Sequence, residues 1–176
     1  KSFGKPIIKL EPLLEAISLY TATACERLRA QGSNVYRILV FLQTNAFRLN
    51  ELQHQASHSC SFVTPTQDTR QIIAGAKYCI RKMYRPGYAY HKAGIVLMDL
   101  SHEVVVQTDL LSPQDSSKAI GLMKTVDSIN ALFGSNTLHF AAQGIQRPWQ
   151  MRKDHRTPRY TTRWDELPVV HARFKN

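Results

Sequence analysis

The stretch Val35-Tyr36-Arg37-Ile38-Leu39-Val40-Phe41-Leu42-Gln43 decides the fold. Rich in branched and aromatic residues and alternating along its length, it reads as a β-strand. One face carries Tyr36, Ile38, Val40 and Leu42. The other carries Arg37, Leu39, Phe41 and Gln43 and is half-polar.

The flanking segments supply a cover for the apolar face. Residues 11–30 read as a helix, with Leu14, Ile17, Thr21, Ala24 and Leu28 at helical spacing and Gly32 just past the end. Before it, residues 2–8 read as a short strand whose Gly and Pro suit a sheet edge. Residues 45–58 are polar and rich in Asn, Gln and His, which reads as a loop or hairpin connection. Residues 59–64 can form a strand ending at Pro65. Thr66 or Asp68 can then cap a helix whose apolar stripe is Ile72, Ile73, Ala76, Ile80 and Met83. Pro86-Gly87 breaks that helix, and residues 88–100 form a last strand with Gly94 inside it. The order is β-α-β-β-α-β over residues 1–100, an α+β fold of the split βαβ kind. It predicts a four-stranded antiparallel sheet with two helices on one face. The opposite sheet face is left to meet water or a ligand.

A linker follows, and Ser112-Pro113-Gln114-Asp115 is a strong helix start: Ser as N-cap, Pro in the first position, Asp in the first turn. Ala119, Leu122, Met123, Val126, Ile129 and Phe133 give that helix a buried stripe, and Gly134 ends it. Residues 137–142 read as one more strand. The last 30 residues hold eight Lys or Arg against three Asp or Glu, with Trp149, Tyr160 and Trp164 among them. The expected division is a first domain at 1–103, a linker at 104–112 and a small C-terminal domain at 113–176.

With 176 residues, 43% of them hydrophobic, the chain has the composition of a globular protein. It starts at Lys1 and not Met, which reads as a cut or excised piece or as a chain whose start was not observed. A net charge of +10 points to an acidic partner, nucleic acid before an anionic membrane surface. No run approaches the roughly 20 apolar residues of a membrane span, and no secretory signal is visible. Cys25, Cys60 and Cys79 are an odd and widely spaced set, which suits reduced thiols in a cytosolic protein.

Metal-dependent nucleotidyl transfer needs clustered carboxylates. Asp99 ends a strand without a neighbouring partner, and Asp165-Glu166 sits in a basic tail where surface pairing accounts for it. His54-x-x-x-His58-x-Cys60 has the look of metal-ligand spacing but lacks a fourth ligand, and reads better as a polar loop running into a strand. No Gly-rich phosphate loop is present. No catalytic residue, metal site or cofactor is therefore expected. Phosphate contacts, by contrast, come from Lys, Arg, Ser and Thr. Lys1, Ser2, Lys5, Arg37, Thr64, Thr66 and Lys92 lie on or beside the predicted strands and are the nucleic-acid-binding candidates.

These residues resemble a known family. Lys1-Ser2-Phe3-Gly4-Lys5-Pro6-Ile7 resembles the opening strand of the little-finger domain of Y-family translesion DNA polymerases. Residues 64–72 (Thr-Pro-Thr-Gln-Asp-Thr-Arg-Gln-Ile) look like the approach to that domain's second helix in its UmuC branch. Residues 90–94 (Tyr-His-Lys-Ala-Gly) look like the start of its last strand. The most specific match is Trp149-Gln-Met-Arg152 followed by Thr157-Pro-Arg-Tyr-Thr-Thr-Arg-Trp-Asp-Glu-Leu-Pro168, similar to the tail of UmuC-type proteins and their plasmid-borne relatives.

The resemblance covers nearly the whole chain. It implies a little finger at 1–103 that grips template–primer duplex DNA in an error-prone polymerase of the SOS response. The catalytic palm and its Mg2+ belong to a part N-terminal to this one. It also implies a sliding-clamp peptide in the linker, matched by Gln107-Thr108-Asp109-Leu110-Leu111, with Gln107, Asp109, Leu110 and Leu111 as contact residues. Thr108 and Leu111 depart from the family's usual Leu and Phe. Trp149, Arg152, Tyr160, Arg163 and Trp164 have the aromatic–basic composition of a docking surface; the alternative reading is that these aromatics fold back and close the core of the small domain, and both can hold for different residues. The family's partners are the β sliding clamp, the processed UmuD subunit and the RecA filament, which implies a bacterial cytoplasmic, nucleoid-associated protein. Two rival readings remain: a stand-alone RNA-binding module, which needs exposed aromatics on the central strands and has Phe41 and Tyr90 to offer, and a protein-interaction domain whose charge serves solubility.

Overall fold

The strand read at 35–43 runs from Asn34 to Thr44 and is an inner strand of a four-stranded antiparallel sheet. The computed structural model describes residues 1–48, 50–102, 117–151 and 157–170. Its elements are β1 (Ser2–Ile7), α1 (Leu10–Ala30), β2 (Asn34–Thr44), β3 (Gln55–Thr66), α2 (Thr69–Met83), β4 (Tyr90–Ser101) and α3 (Ser117–Phe133). The sheet order is β1-β4-β2-β3. The α+β class and the β-α-β-β-α-β order are those the sequence predicts.

Local chemistry explains the two sheet-packed helices. In α1, Pro12 sits in the first turn, where a missing N–H costs nothing. Glu11 near the start and Arg27 and Arg29 in the last turn complement the helix dipole. Gly32 (φ 70°) ends the helix in the left-handed region, and the N–H of Ser33 closes onto the Leu28 carbonyl at 3.0 Å. In α2, Asp68 caps the first turn by accepting from the Arg70 N–H at 2.8 Å. Both helices lie on one sheet face, α1 over β4 and β1, α2 over β3 and β2. Between them Leu13, Leu14, Ile17 and Leu28 meet Val35, Ile38, Val40 and Leu42 and Ile72, Ala76 and Ile80. Each fully buried aliphatic side chain contributes about 1.5–3 kcal/mol, so this layer sets the register of the sheet.

Four local expectations are corrected. Tyr36 is not on the buried row: Val35 takes that place and Tyr36 is exposed. The cause is a break in the β2–β3 register between Val35 and Arg37, beside Asp99 of β4 in the left-handed region (φ 53°). Strand β3 begins at Gln55, so the last four residues of the stretch that reads as loop, 55–58, are sheet. Residues 137–142 form no strand among the described residues; they make a turn and a short 3-10 helix, Ala141–Gln143. Asn130 donates to the Leu138 carbonyl at 3.0 Å and accepts from the Leu138 N–H at 2.8 Å, using up the groups a strand would pair. In α3 only Ala119, Met123 and Val126 of the expected stripe are buried, while Leu122 and Phe133 are exposed.

Among the described residues, the C-terminal segment meets the sheet layer through the 3-10 helix Ala141–Gln143, which lies against α1, and through two side-chain anchors. Asp127 of α3 forms a two-pronged ion pair with Arg29 of α1, at 2.6 and 2.7 Å. Trp149 fits into the core against Phe3 and Tyr20, with ring centroids 6.2 and 5.9 Å away, and its carbonyl accepts from the Gly4 N–H at 3.0 Å.

Candidate nucleic-acid interface

The sheet face without helices is built by strand alternation. Arg37, Leu39, Phe41 and Gln43 of β2 stand opposite Ser61, Ser59, Ser57 and Gln55 of β3, and opposite Met98, Val96, Gly94 and Lys92 of β4. Ser2 of β1 pairs with Lys92 and extends the row to the far edge. The face therefore has an apolar floor of Leu39, Phe41, Val96 and Met98 with polar rows on either side. Its cations are Arg37 and Lys92. Lys92 is exposed, whereas Arg37 donates to Ser61 Oγ at 3.1 Å and lies 3.4 Å from Asp99.

Gly94 shapes that floor. A Cβ there would run into the Phe41 ring, which lies over the glycine in the space a side chain would fill. Phe41 is thereby committed to the sheet. Tyr90, the second aromatic that an RNA-binding sheet could use, is fully buried. Its hydroxyl accepts from the Arg85 N–H at 3.0 Å and meets His54 Nδ1 at 3.0 Å.

The other sequence-predicted residues are placed as follows. Lys5 is exposed on the edge strand β1. Lys1 turns its ammonium over the Tyr20 ring of α1, 5.3 Å from its centroid, toward the helix side of the sheet. Thr64 shares the parity of Phe62 and Thr66, which leaves the exposed Val63 on the open side. Thr66 is 1% exposed and its hydroxyl accepts from the Asp68 N–H at 3.0 Å. The assignment of Thr66 to phosphate contact is corrected: it shapes the approach to α2. Ser57, Ser59 and Ser61 were missed. Their signal is present in the alternation Ser57-His58-Ser59-Cys60-Ser61-Phe62, which places three hydroxyls on one face.

The clamp peptide residues Gln107, Asp109, Leu110 and Leu111, and Arg152 of the tail, lie outside the described residues. Of the remaining docking candidates, Trp149 is 3% exposed and belongs to the core, which corrects its assignment to a docking surface. Trp164 is 87% exposed and Tyr160 about half-exposed. Arg163 pairs with Asp165 at 3.1 Å and Glu166 at 3.5 Å. Among the described residues no three His, Cys, Asp or Glu side chains converge. His54 is held by Tyr90, and burial, with Arg85 next, keeps its pKa below the ordinary histidine value. His58 packs on Tyr78, 6.0 Å between centroids. Burial pushes the Cys25 thiol up to about 12 and the Cys79 thiol up to about 11, which leaves neither as a ready thiolate. No described helix is long and apolar enough to cross a membrane.

The impB/mucB/samB family C-terminal domain matches residues 1–110, well over half of the chain, and the chain belongs to that family. A second match, to a domain of unknown function (DUF4113), covers residues 121–170. Among named relatives, the chain is 38% identical over 170 residues to Protein UmuC of Salmonella typhimurium, covering 95% of this chain and 40% of that protein. It is 34% identical over 171 residues to Protein SamB of the same organism and to Protein MucB of Escherichia coli, in each case 97% of this chain and 40% of the relative. The chain thus spans about 40% of the length of these relatives.

Proposed function

We propose that this chain grips template–primer duplex DNA and docks partner proteins as the C-terminal part of an error-prone translesion DNA polymerase. The observation that carries the reading is the uncovered sheet face, where Lys92, Arg37 and a hydroxyl row flank an apolar floor on a chain of net charge +10. Cations and hydroxyls suit phosphates; they carry little information about base edges. The face therefore holds a duplex by its backbone, independently of sequence. Tyr90 is buried and offers no ring to single-stranded RNA, which leaves the half-buried Phe41 and the exposed Tyr36 on the inner strands, a small stacking platform beside the polar rows. In the longer protein the catalytic palm, with its Mg2+, lies outside this chain, and the bacterial cytoplasm is the working compartment. The division into a little finger at 1–103, a linker at 104–112 and a C-terminal domain at 113–176 belongs to the same proposal.

The test is a duplex-DNA titration at several salt concentrations. The unaltered chain should bind less tightly as salt rises, with a log–log slope close to one per phosphate neutralised. Lys92→Ala should lower that slope by about one and weaken all sequences alike. Arg37→Ala should lower it by less, because Asp99 already partners the guanidinium. An unchanged slope in both variants rejects the face.

Docking is proposed for two segments. Gln107–Leu111 binds the β sliding clamp as an extended peptide: the Gln107 amide bonds at the rim of a cleft, and Leu110 and Leu111 fill it. Affinity should be on the order of micromolar, because a short peptide loses chain entropy on binding. Replacing both leucines by Ala should abolish clamp binding and leave DNA affinity unchanged. Equal clamp affinity in the double variant rejects the assignment. The tail around Tyr160, Arg163 and the exposed Trp164 is the surface proposed for processed UmuD and the RecA filament.

A further inference from the structure

We infer that the exposed serines of β3 form a neutral rail that follows one sugar–phosphate strand of the duplex, with Ser57 and Ser59 as direct phosphate donors and Ser61 as the residue that aims Arg37. The inference rests on the open face being the duplex-binding one, and adds residues that the charge-based reading leaves out.

Three observations carry it. First, Ser57, Ser59 and Ser61 are all exposed, on the same face, opposite Phe41, Leu39 and Arg37 in register. Second, the hydroxyls of Ser57 and Ser59 make no hydrogen bond to any described residue, and as exposed small side chains they add little packing to the sheet. Ser61 Oγ, by contrast, accepts from Arg37 Nε at 3.1 Å, which holds the guanidinium at the end of the row. Third, side chains on one face of an antiparallel strand repeat every two residues, about 6.8 Å. That repeat is close to the separation of successive phosphates along one nucleic-acid strand, so neighbouring hydroxyls can donate to neighbouring phosphates. The Phe41 ring, lying over Gly94, keeps the floor beside the rail low and apolar. Such a surface accepts the face of a deoxyribose without offering a partner to a polar group. β3 is also the outermost strand, so a duplex backbone reaches the rail without obstruction from the rest of the sheet.

A neutral hydroxyl contact differs from a cation contact in what it does to salt dependence. It adds affinity but releases no counterions. The experiment is a titration of the whole chain with a mixed-sequence DNA duplex at four salt concentrations. It compares the unaltered protein, the double variant Ser57→Ala/Ser59→Ala, the double variant Ser57→Thr/Ser59→Thr, and Lys92→Ala. The alanine pair should weaken binding about five- to tenfold at every salt concentration, the low end for two lost hydrogen bonds because water competes for phosphates at an exposed strand, with the slope unchanged. The threonine pair keeps the hydroxyls on a residue suited to strands and should retain the unaltered affinity. Lys92→Ala should lower the slope. Full affinity in the alanine pair while Lys92→Ala is weakened overturns the rail alone. A slope that falls in the alanine pair also overturns it. Absent duplex binding by the unaltered chain, or tighter binding of a single-stranded RNA, overturns the face together with the rail.

Discussion

Replacing Trp149 by Ala is expected to cost about 3–5 kcal/mol of folding stability, the range for emptying a large aromatic site in a packed core. The indole is 3% exposed and touches Phe3 edge-on at 6.2 Å and Tyr20 edge-on at 5.9 Å. Phe3 and Tyr20 also stack on each other at 6.4 Å, so the three rings form one cluster joining β1, α1 and the tail. The truncation leaves a cavity beside Phe3, under an edge strand whose register with β4 is irregular. Trp149→Phe should cost far less. The indole N–H is buried without a partner among the described residues, so removing it also removes an unpaired donor. Thermal melting of both variants checks this. Trp164→Ala provides the contrast: with Trp164 87% exposed, its loss should leave the melting temperature almost unchanged. A core role for Trp149 implies that its truncation also weakens duplex binding, since Ser2 lies on β1 beside Lys92. If the Trp149→Ala protein melts like the unaltered one, the indole is not part of the core.

What the sequence discloses and what it hides follow from the range of the forces involved. Helix α2 could be placed to within a residue or two because its signals are local: the Asp68 cap, the stripe from Ile72 to Met83, and the break at Pro86-Gly87. The start of β3 could not, because Gln55-Ala56-Ser57-His58 carries no apolar alternation; its pairing with β2 makes it a strand. Reading that stretch as loop also hides one of the three serines of the candidate interface, Ser57. The phase of Tyr36 is not legible because the register break between Val35 and Arg37 is set by pairing with β3, a strand distant in sequence. Thr-Leu-His-Phe at 137–140 has strand propensity but no strand to pair with, and a side chain seven residues before the stretch, Asn130, takes over its backbone bonds. Trp149 and Trp164 look alike in sequence, each an aromatic among basic residues. Burial separates them, and nothing within a few residues of either one discloses it. Lys92 and Arg37 were legible because alternation fixes the face of a charge once the strand is known.

Asp127→Ala is expected to release α3 from the sheet layer while leaving the sheet intact. Arg29 is nearly buried, its side chain 9% exposed, and makes four bonds: two to Asp127, one to the Gln67 carbonyl at 3.1 Å and one to Thr69 Oγ1 at 2.6 Å. Burial works against its charge, but the hydrogen bonds and charge of Asp127 outweigh that and hold its pKa above the ordinary arginine value. Removing the carboxylate strands a guanidinium in a place that disfavours it. Breaking a fully buried pair costs about 3–5 kcal/mol; with Asp127 31% exposed, water screens part of the loss, and about 2–3 kcal/mol is expected. The ion pair itself lines a cleft of about 400 Å³ between α1 and α3, with Ala22, Glu26, Val126, Asn130 and Gln143 around it, so water reaches the broken pair without the sheet opening. The loss should therefore be local. Amide-exchange protection should fall across α3, from Ser117 to Phe133, and persist in β2 and α2. Arg29→Met/Asp127→Leu should recover much of the stability, because it removes both charges and keeps apolar volume. A double variant as unstable as Asp127→Ala would show that the Gln67 and Thr69 bonds, and not the ion pair, hold α1 in place. Equal loss of protection in β2 and α3 would show that the C-terminal helix folds as one cooperative unit with the sheet.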